Sequence, residues 1–184
     1  FDYLLGELTI PEAFKATKVA AATLLLANNP IISVNGNVAT LAPKEVVKLA
    51  ESVGAKIEVN LFHRTLGREI AIMKKMKTFG AKEVLGVGKA ASLELKGLES
   101  SRRWVDPEGI MTADTVLAPL EDGDRTATLR KAGKTVITID LNPLSRTAQT
   151  ASITIVDNIV RAMPLIVEES TILKKIDKND LKDM

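Results

Sequence analysis

Short apolar runs alternate with helical stretches along the whole chain, and the runs are uninterrupted instead of alternating apolar with polar. A strand that is apolar at every position is buried on both faces, which is the condition of a parallel sheet covered by helices. Ile31-Ile32-Ser33-Val34, Lys56 to Leu61, Val84-Leu85, Thr115 to Ala118, Thr135 to Ile139 and Ile153 to Val156 read as the strands. Thr9-Ile10-Pro11-Glu12 has the form of a capping box and opens a helix that runs to about Ala27. Further helices are expected over Pro43 to Val53, stopped by Gly54, over Gly67 to Phe79, stopped by Gly80, over Asp124 to Ala132, closed by Gly133, and over residues 159 to 175. Residues 87 to 113 lose clear periodicity and read as an insertion. The expected class is α/β and Rossmann-like, a mostly parallel sheet with helices on both faces. Residues 1–176 would form one domain and 177–184 a charged tail that frays.

Composition narrows the chemistry. The 184 residues suit one domain of the usual size, about 150 residues, large enough to hold a rigid cleft. Zero cysteines exclude a disulfide scaffold, a thiolate zinc site and a Cys nucleophile, and a single histidine excludes poly-His metal centres. No Gly-x-Ser-x-Gly nucleophile elbow occurs, so hydrolysis by a serine triad is not expected. A net charge of +2 with one Trp, one Tyr and four Phe argues against nucleic acid as a main partner. The apolar run from Val19 to Ala27, broken by Thr23, is far shorter than the roughly 20 residues that cross a bilayer. Phe1 is not an initiator methionine and Phe1-Asp2-Tyr3 lacks the basic start of a signal peptide, so a further N-terminal piece is expected. The lack of cysteine fits a cytoplasmic location.

In an open parallel sheet, ligands bind outside the carboxyl ends of the strands. Five strands here are followed by polar clusters: Asn35-Gly36-Asn37, His63-Arg64-Thr65, Glu121 to Thr126, Asp140-Leu141-Asn142 and Asp157-Asn158. In Asp122-Gly123-Asp124-Arg125-Thr126, the glycine lets a ligand approach the backbone, the carboxylates suit ribose hydroxyls or hydrated magnesium, and Arg125 suits phosphate oxygens. Asp124 is equally well explained as a helix cap. Asp140 stands where dinucleotide-binding folds place a ribose-binding acid. Ser145 is a candidate cap, and Arg146 in a first turn opposes the helix dipole unless an anion lies near. Asn35-Gly36-Asn37 is either a hairpin turn, with Val38 to Leu41 as the returning strand, or a ligand-facing amide loop; Pro43, which soon opens a helix, favours the loop. His63 is either a surface residue or a functional one. Gly86-Val87-Gly88 mimics a dinucleotide fingerprint but follows the third strand, and no acid closes a neighbouring strand about 20 residues on, Asp106 lying in the irregular Trp104-Val105-Asp106-Pro107 stretch, so it reads as a simple glycine turn.

Taken together, NNPIISVNGNVA (28–39), NLFHRT (60–65), PLEDGDRT (119–126), VITIDLNPLSR (136–146) and ITIVDNIVRA (153–162) resemble the archaeal phosphopantothenate synthetase family, also called 4-phosphopantoate–β-alanine ligase. The resemblance runs in order through nearly the whole chain. It implies an ATP-dependent, AMP-forming ligase that joins 4-phosphopantoate to β-alanine through an acyl-adenylate, giving 4′-phosphopantothenate for coenzyme A synthesis. It further implies magnesium, a homodimer, and an additional basic segment upstream of Phe1 that contributes nucleotide contacts. Carried onto this chain, Asp122, Gly123, Asp124, Arg125, Thr126, Asp140, Leu141 and Asn142 become the expected ATP contacts. Asn35, Gly36, Asn37 and Arg64 become candidates for phosphopantoate, and Arg64, Asn37 and His63 for catalysis. The metal ligands are unassigned. The apolar groups Ile159, Val160, Met163, Leu165, Ile166 and Val167 on the last helix exceed a single stripe and suit a dimer or a helix buried in its own domain. An NAD-dependent oxidoreductase and a non-catalytic nucleotide-binding regulator are the alternatives.

Overall fold

The computed structural model describes residues 1–182. Its elements are α1 (Pro11–Leu26), β1 (Pro30–Val34), α2 (Gly36–Leu41), α3 (Pro43–Val53), β2 (Lys56–Val59), α4 (Leu66–Thr78), β3 (Leu93–Glu94), β4 (Trp104–Val105), β5 (Thr115–Leu117), α5 (Gly123–Lys131), β6 (Thr135–Ile139), α6 (Arg146–Thr150), β7 (Ile153–Ile155), α7 (Ile159–Leu173) and α8 (Lys178–Lys182). Five strands form one parallel sheet in the order β2-β1-β5-β6-β7. The third strand expected at Val84-Leu85 is reduced to a single parallel bridge, Leu85 to Glu58, outside β2. Counting that bridge as a strand gives the spatial order 3-2-1-4-5-6 of the Rossmann sheet, as the apolar runs implied.

Every residue of β1 is buried, because the two faces of the sheet belong to different cores. Ile32 and Val34 pack with Ile57, Val59, Ile137 and Ile139 under α1, α3 and α7. Ile31, Val116 and Val136 point the other way, onto Leu129 of α5 and onto Leu95, Val105 and Ile110 of the irregular segment. Residues 87–113 therefore cover the second face beside α5, with a two-stranded antiparallel ribbon of β3 and β4 inside them. Each fully buried Ile, Leu or Val here contributes roughly 1.5–3 kcal/mol.

Several expectations need correction. Thr9 does not cap α1: the cap position is Ile10, without a side-chain bond, and Thr9 Oγ1 donates instead to Asp157 Oδ2 at 2.5 Å. Pro11 at the first turn needs no donor partner, so the helix starts without the box. Val38 to Leu41 is helical, which removes the hairpin alternative: Asn35 Oδ1 accepts from the N–H groups of Asn37 and Val38 and starts α2. The charged tail does not simply fray, because Leu181 of α8 is 4% exposed and joins the main core, a burial that the surrounding charges hid in the sequence. Asp183 and Met184 of that expected tail lie outside the described residues. On α7, Ile159, Met163 and Ile166 are buried against α1 and α3, Leu165 and Val167 are half-buried, and Val160 is exposed. Most of the apolar excess is thus absorbed within the domain. Among the described residues no helix is long and apolar enough to cross a membrane.

Candidate active site

The order of the strands reverses between β1 and β5, which remain parallel, and Asn35 closes that switch point. Its Nδ2 donates across the gap to the carbonyls of Pro119 and Leu120 at 3.3 and 3.1 Å, while its Oδ1 caps α2. All of its hydrogen-bonding capacity is used inside the protein, so Asn35 shapes the crevice, and Gly36 and the exposed Asn37 are left facing outward. Leu120, which receives one of those bonds, has φ 52°, a left-handed backbone that costs a leucine about 1–2 kcal/mol. The Asn35 amide and the bond from Leu120 N to Ile139 O hold it there.

Asp122, one step on, caps α5 by accepting from Arg125 N at 2.8 Å; Asp124, the candidate cap, lies in the first turn and pairs with Arg146 at 2.6 Å on the surface. Burial pushes the Asp122 carboxyl up, but the Arg125 N–H and the Arg102 guanidinium outweigh it and hold the group below the usual carboxylate range. A cleft of about 680 Å³ opens beside this turn, bounded by Asp122, Asp124, Lys131 and Arg146 on one side and by Phe62 and Ser100 on the other. Gly123 keeps the turn against α6, since a Cβ there would sit 2.6 Å from the Arg146 Cβ. Ser145 caps α6 as expected and also donates to Asp140 Oδ2; Asp140 Oδ1 accepts from Asn142 N, which fixes the loop containing Leu141 at the end of β6.

Arg125 does not face this cleft. Its guanidinium is fully buried against the sheet, bonded to Ser33 Oγ at 3.0 Å and paired with Glu121, because the helix turns that side chain inward three residues after the cap. Thr126 is likewise buried, its hydroxyl donating to Asp122 O. Arg64 is also engaged: Nε pairs with Glu69, and its terminal nitrogens donate to Trp104 O at 3.0 Å and Gly86 O at 2.5 Å. His63 is exposed, edge-on to Phe62, with its carbonyl accepting from Arg68. Both glycine amides of the Gly86–Gly88 turn are already used, Gly86 N donating to Asp106 and Gly88 N to Glu69, so the turn is not a phosphate cradle of successive free amides.

Four groups escaped the sequence reading. Glu58, in β2, is fully buried and accepts from Asp106 N at 3.0 Å and Ile110 N at 2.6 Å, holding the insertion to the sheet. Burial drives its carboxyl up to about 7 against the lowering effect of those two N–H groups and of Arg125. Arg102 links the insertion to Glu121 and Asp122. Arg68 and Lys75 line a groove of about 370 Å³ between α2 and α4 that starts at Gly36. An acid in the middle of a strand expected to be buried on both faces was the available signal for Glu58; the others carried none.

The spent donors of Arg64 give a first prediction. Arg64→Lys is expected to lower stability by about 1–3 kcal/mol, because one ammonium cannot replace bonds to two carbonyls and a carboxylate. Thermal melting together with kinetics checks this. Unchanged melting with a selective loss of kcat/KM for 4-phosphopantoate would place Arg64 on the substrate instead.

A Rossmann-ordered sheet with a polar cleft at the carboxyl ends of its strands defines the class as a Rossmann-like α/β domain. The family model for phosphopantothenate/pantothenate synthetase matches residues 12–184. A protein of Methanosarcina mazei named 4-phosphopantoate–β-alanine ligase is 56% identical over 181 residues, covering 98% of this chain and 70% of its own length. Proteins with the same name from Thermococcus onnurineus and Thermococcus kodakarensis are 52% and 50% identical over 182 residues, each covering 98% of this chain and 69% of their own length. The chain belongs to the phosphopantothenate/pantothenate synthetase family.

Proposed function

We propose that this protein is an ATP-dependent ligase that condenses 4-phosphopantoate with β-alanine, releasing AMP and pyrophosphate. The observation that carries the reading is the match to relatives of that name along 98% of the chain. The cleft beside Asp122 supports it, because its combination of carboxylates and cations suits a nucleotide with its metal.

A carboxylate is a poor acyl donor, since oxide is a poor leaving group. In the proposed reaction the pantoate carboxylate oxygen attacks the α-phosphorus of ATP and pyrophosphate departs. The β-alanine amine then attacks the acyl carbon, the ammonium proton is lost to solvent or base, and AMP leaves. Asp122, Gly123 and Asp124 with Asp140, Leu141 and Asn142 would bind and orient the nucleotide. Arg125 and Thr126 would support that turn from behind. Gly36 and Asn37 would meet phosphopantoate, with Arg68 and Lys75 better placed for its phosphate than Arg64. His63, exposed beside the cleft residue Phe62, stays a candidate for proton transfer. Among the described residues no group of three His, Cys, Asp or Glu forms a protein-held metal cage. Asp124 together with nucleotide phosphates is the donor set magnesium ordinarily takes, and the ion would offset charge on the departing pyrophosphate. The protein's share is positioning and electrostatics. A homodimer belongs to the same proposal through the resemblance, with Val160 and Leu8 among the exposed apolar groups available to it; a monomer by sedimentation at micromolar concentration removes that part alone.

The test is AMP release that requires ATP, 4-phosphopantoate and β-alanine together. Magnesium ATP at a hundredfold excess over Kd is expected to stabilise the protein by about 2.7 kcal/mol, and NAD to leave melting unchanged. Melting that responds to NAD and not to ATP would favour the oxidoreductase, and binding without turnover the regulator.

A further inference from the structure

The insertion and the nucleotide turn are joined by a buried chain of charges. Arg102 is 7% exposed, and one of its terminal nitrogens pairs with both Glu121 and Asp122. Glu121 in turn pairs with Arg125, which reaches Ser33 in the central strand. The Arg102 carbonyl accepts from Asn60 at 3.2 Å, and its guanidinium lies 5.8 Å from the Phe62 ring centroid. Phe62, Ser100 and Asp122, which surround this arginine, all line the 680 Å³ cleft.

Stability does not account for such an arrangement. Buried ion pairs recover their desolvation cost only when every remaining donor and acceptor is satisfied, and apolar packing of the same volume usually does as well. Here Arg102 Nε, Arg125 Nε and one Arg125 terminal nitrogen, and Asn60 Oδ1 are buried without a partner among the described residues. The geometry is instead that of an alignment device. Asp122 has two tasks, capping α5 through Arg125 N and lining the cleft, and Arg102 fixes which way its second oxygen points.

We infer that Arg102 is a positioning residue for the ligase reaction: it sets the orientation of the Asp122 turn and couples it to the insertion that forms the opposite wall of the cleft. The inference rests on the ligase reading of that cleft. Because a single nitrogen of Arg102 bridges the two carboxylates, one lysine ammonium can take over the bridge, whereas methionine cannot.

The experiment compares wild type, Arg102→Lys and Arg102→Met by kinetics and by native-state amide exchange. Arg102→Met is expected to raise KM for ATP about tenfold or more and leave KM for β-alanine within about twofold. Exchange at the Arg125 and Thr126 amides, which bond to Asp122, should quicken about tenfold while Ile137 and Ile139 in the central sheet keep wild-type protection. Arg102→Lys should restore both readouts to within about threefold. If Arg102→Met does not fold, Glu121→Gln carries the same expectation, since it removes the shared partner. A fall in maximal rate that follows the folded fraction, with every KM unchanged and exchange quickened uniformly, would show that Arg102 only stabilises and overturns the inference. If wild type forms no AMP, the ligase reading fails. The exchange pattern then decides the matter by itself, local quickening supporting the positioning role and uniform quickening ending it.

Discussion

Glu58→Ala is expected to destabilise the protein by about 3–5 kcal/mol, the loss that follows when two buried N–H donors are left without an acceptor and a cavity replaces the side chain. Two backbone N–H groups, Asp106 and Ile110, lose their acceptor, and no water reaches a group that is 0% exposed. The site cannot relax easily, because Gly86 and Gly109 exist to let the carboxylate in. A Cβ on Gly86 would lie 2.7 Å from Glu58 Cγ, and one on Gly109 would collide with Glu58 Oε2. For a domain of this size the loss amounts to roughly 2–4 °C of melting temperature per kcal/mol. The effect should also depend on pH. The native carboxyl titrates near 7 and the ordinary value is 4.5, so between those values the folded state binds more protons than the unfolded chain. Stability from this group is therefore complete below about pH 4.5 and lost as pH rises through 7, a change of about 3 kcal/mol. Asp122 acts with the opposite sign: its stabilisation is present above the ordinary 3.8 and lost at lower pH, outside this window. Denaturant unfolding of wild type and Glu58→Gln from pH 5 to 7.5 isolates the group, since glutamine carries no proton in that range. A constant difference between the two proteins would mean that Glu58 stays ionised throughout.

Glu58 also shows where the sequence ceases to be informative. The strands were legible because burial on both faces leaves an unbroken apolar run, and the Rossmann order follows once such runs alternate with helices. Ser145 was legible as a cap because a cap bonds within three residues of itself. Asp122 and Asp124 were harder to tell apart, since two acids one residue either side of Gly123 both fit a helix start and only the observed dihedral angles distinguish them. Glu58 takes its bonds from residues 48 and 52 positions away, inside a segment with no periodicity, so no local pattern encodes them. Arg64 and Arg125 failed in the same way. Each stands next to the strand end or turn expected to bind ligand, but the Arg64 fork is consumed by Glu69, Trp104 and Gly86, and the Arg125 guanidinium is buried against the sheet with one nitrogen held by Ser33 and Glu121. Chain position singled out the carboxyl edge of the sheet; the direction of each side chain was set by distant partners, Trp104 of the insertion and Gly86 for Arg64 and Ser33 for Arg125, which no local pattern encodes.

Asp122→Asn is expected to separate the two tasks of the residue at the mouth of the cleft. Asparagine is as good a cap as aspartate, so the bond from Arg125 N survives and α5 keeps its start, whereas alanine loses about 1 kcal/mol of capping in addition. The charge is what asparagine removes. Arg102 then retains only Glu121 as an anionic partner, and the cleft loses one of the two carboxylates that flank Gly123. Hydrogen bonds to a charged group are worth about 1.5–3 kcal/mol, so affinity for magnesium ATP should fall by about 10- to 100-fold in Asp122→Asn while melting shifts by only a few degrees. Asp122→Ala should show the same loss of affinity plus the larger loss of stability. Calorimetric titration with magnesium ATP and thermal melting of both variants give the two quantities separately. If Asp122→Asn binds nucleotide as tightly as wild type and Asp122→Ala does so once its folded fraction is counted, the carboxylate is a helix cap alone, and the nucleotide must be held by Asp124 and the Asp140 loop that leads into α6.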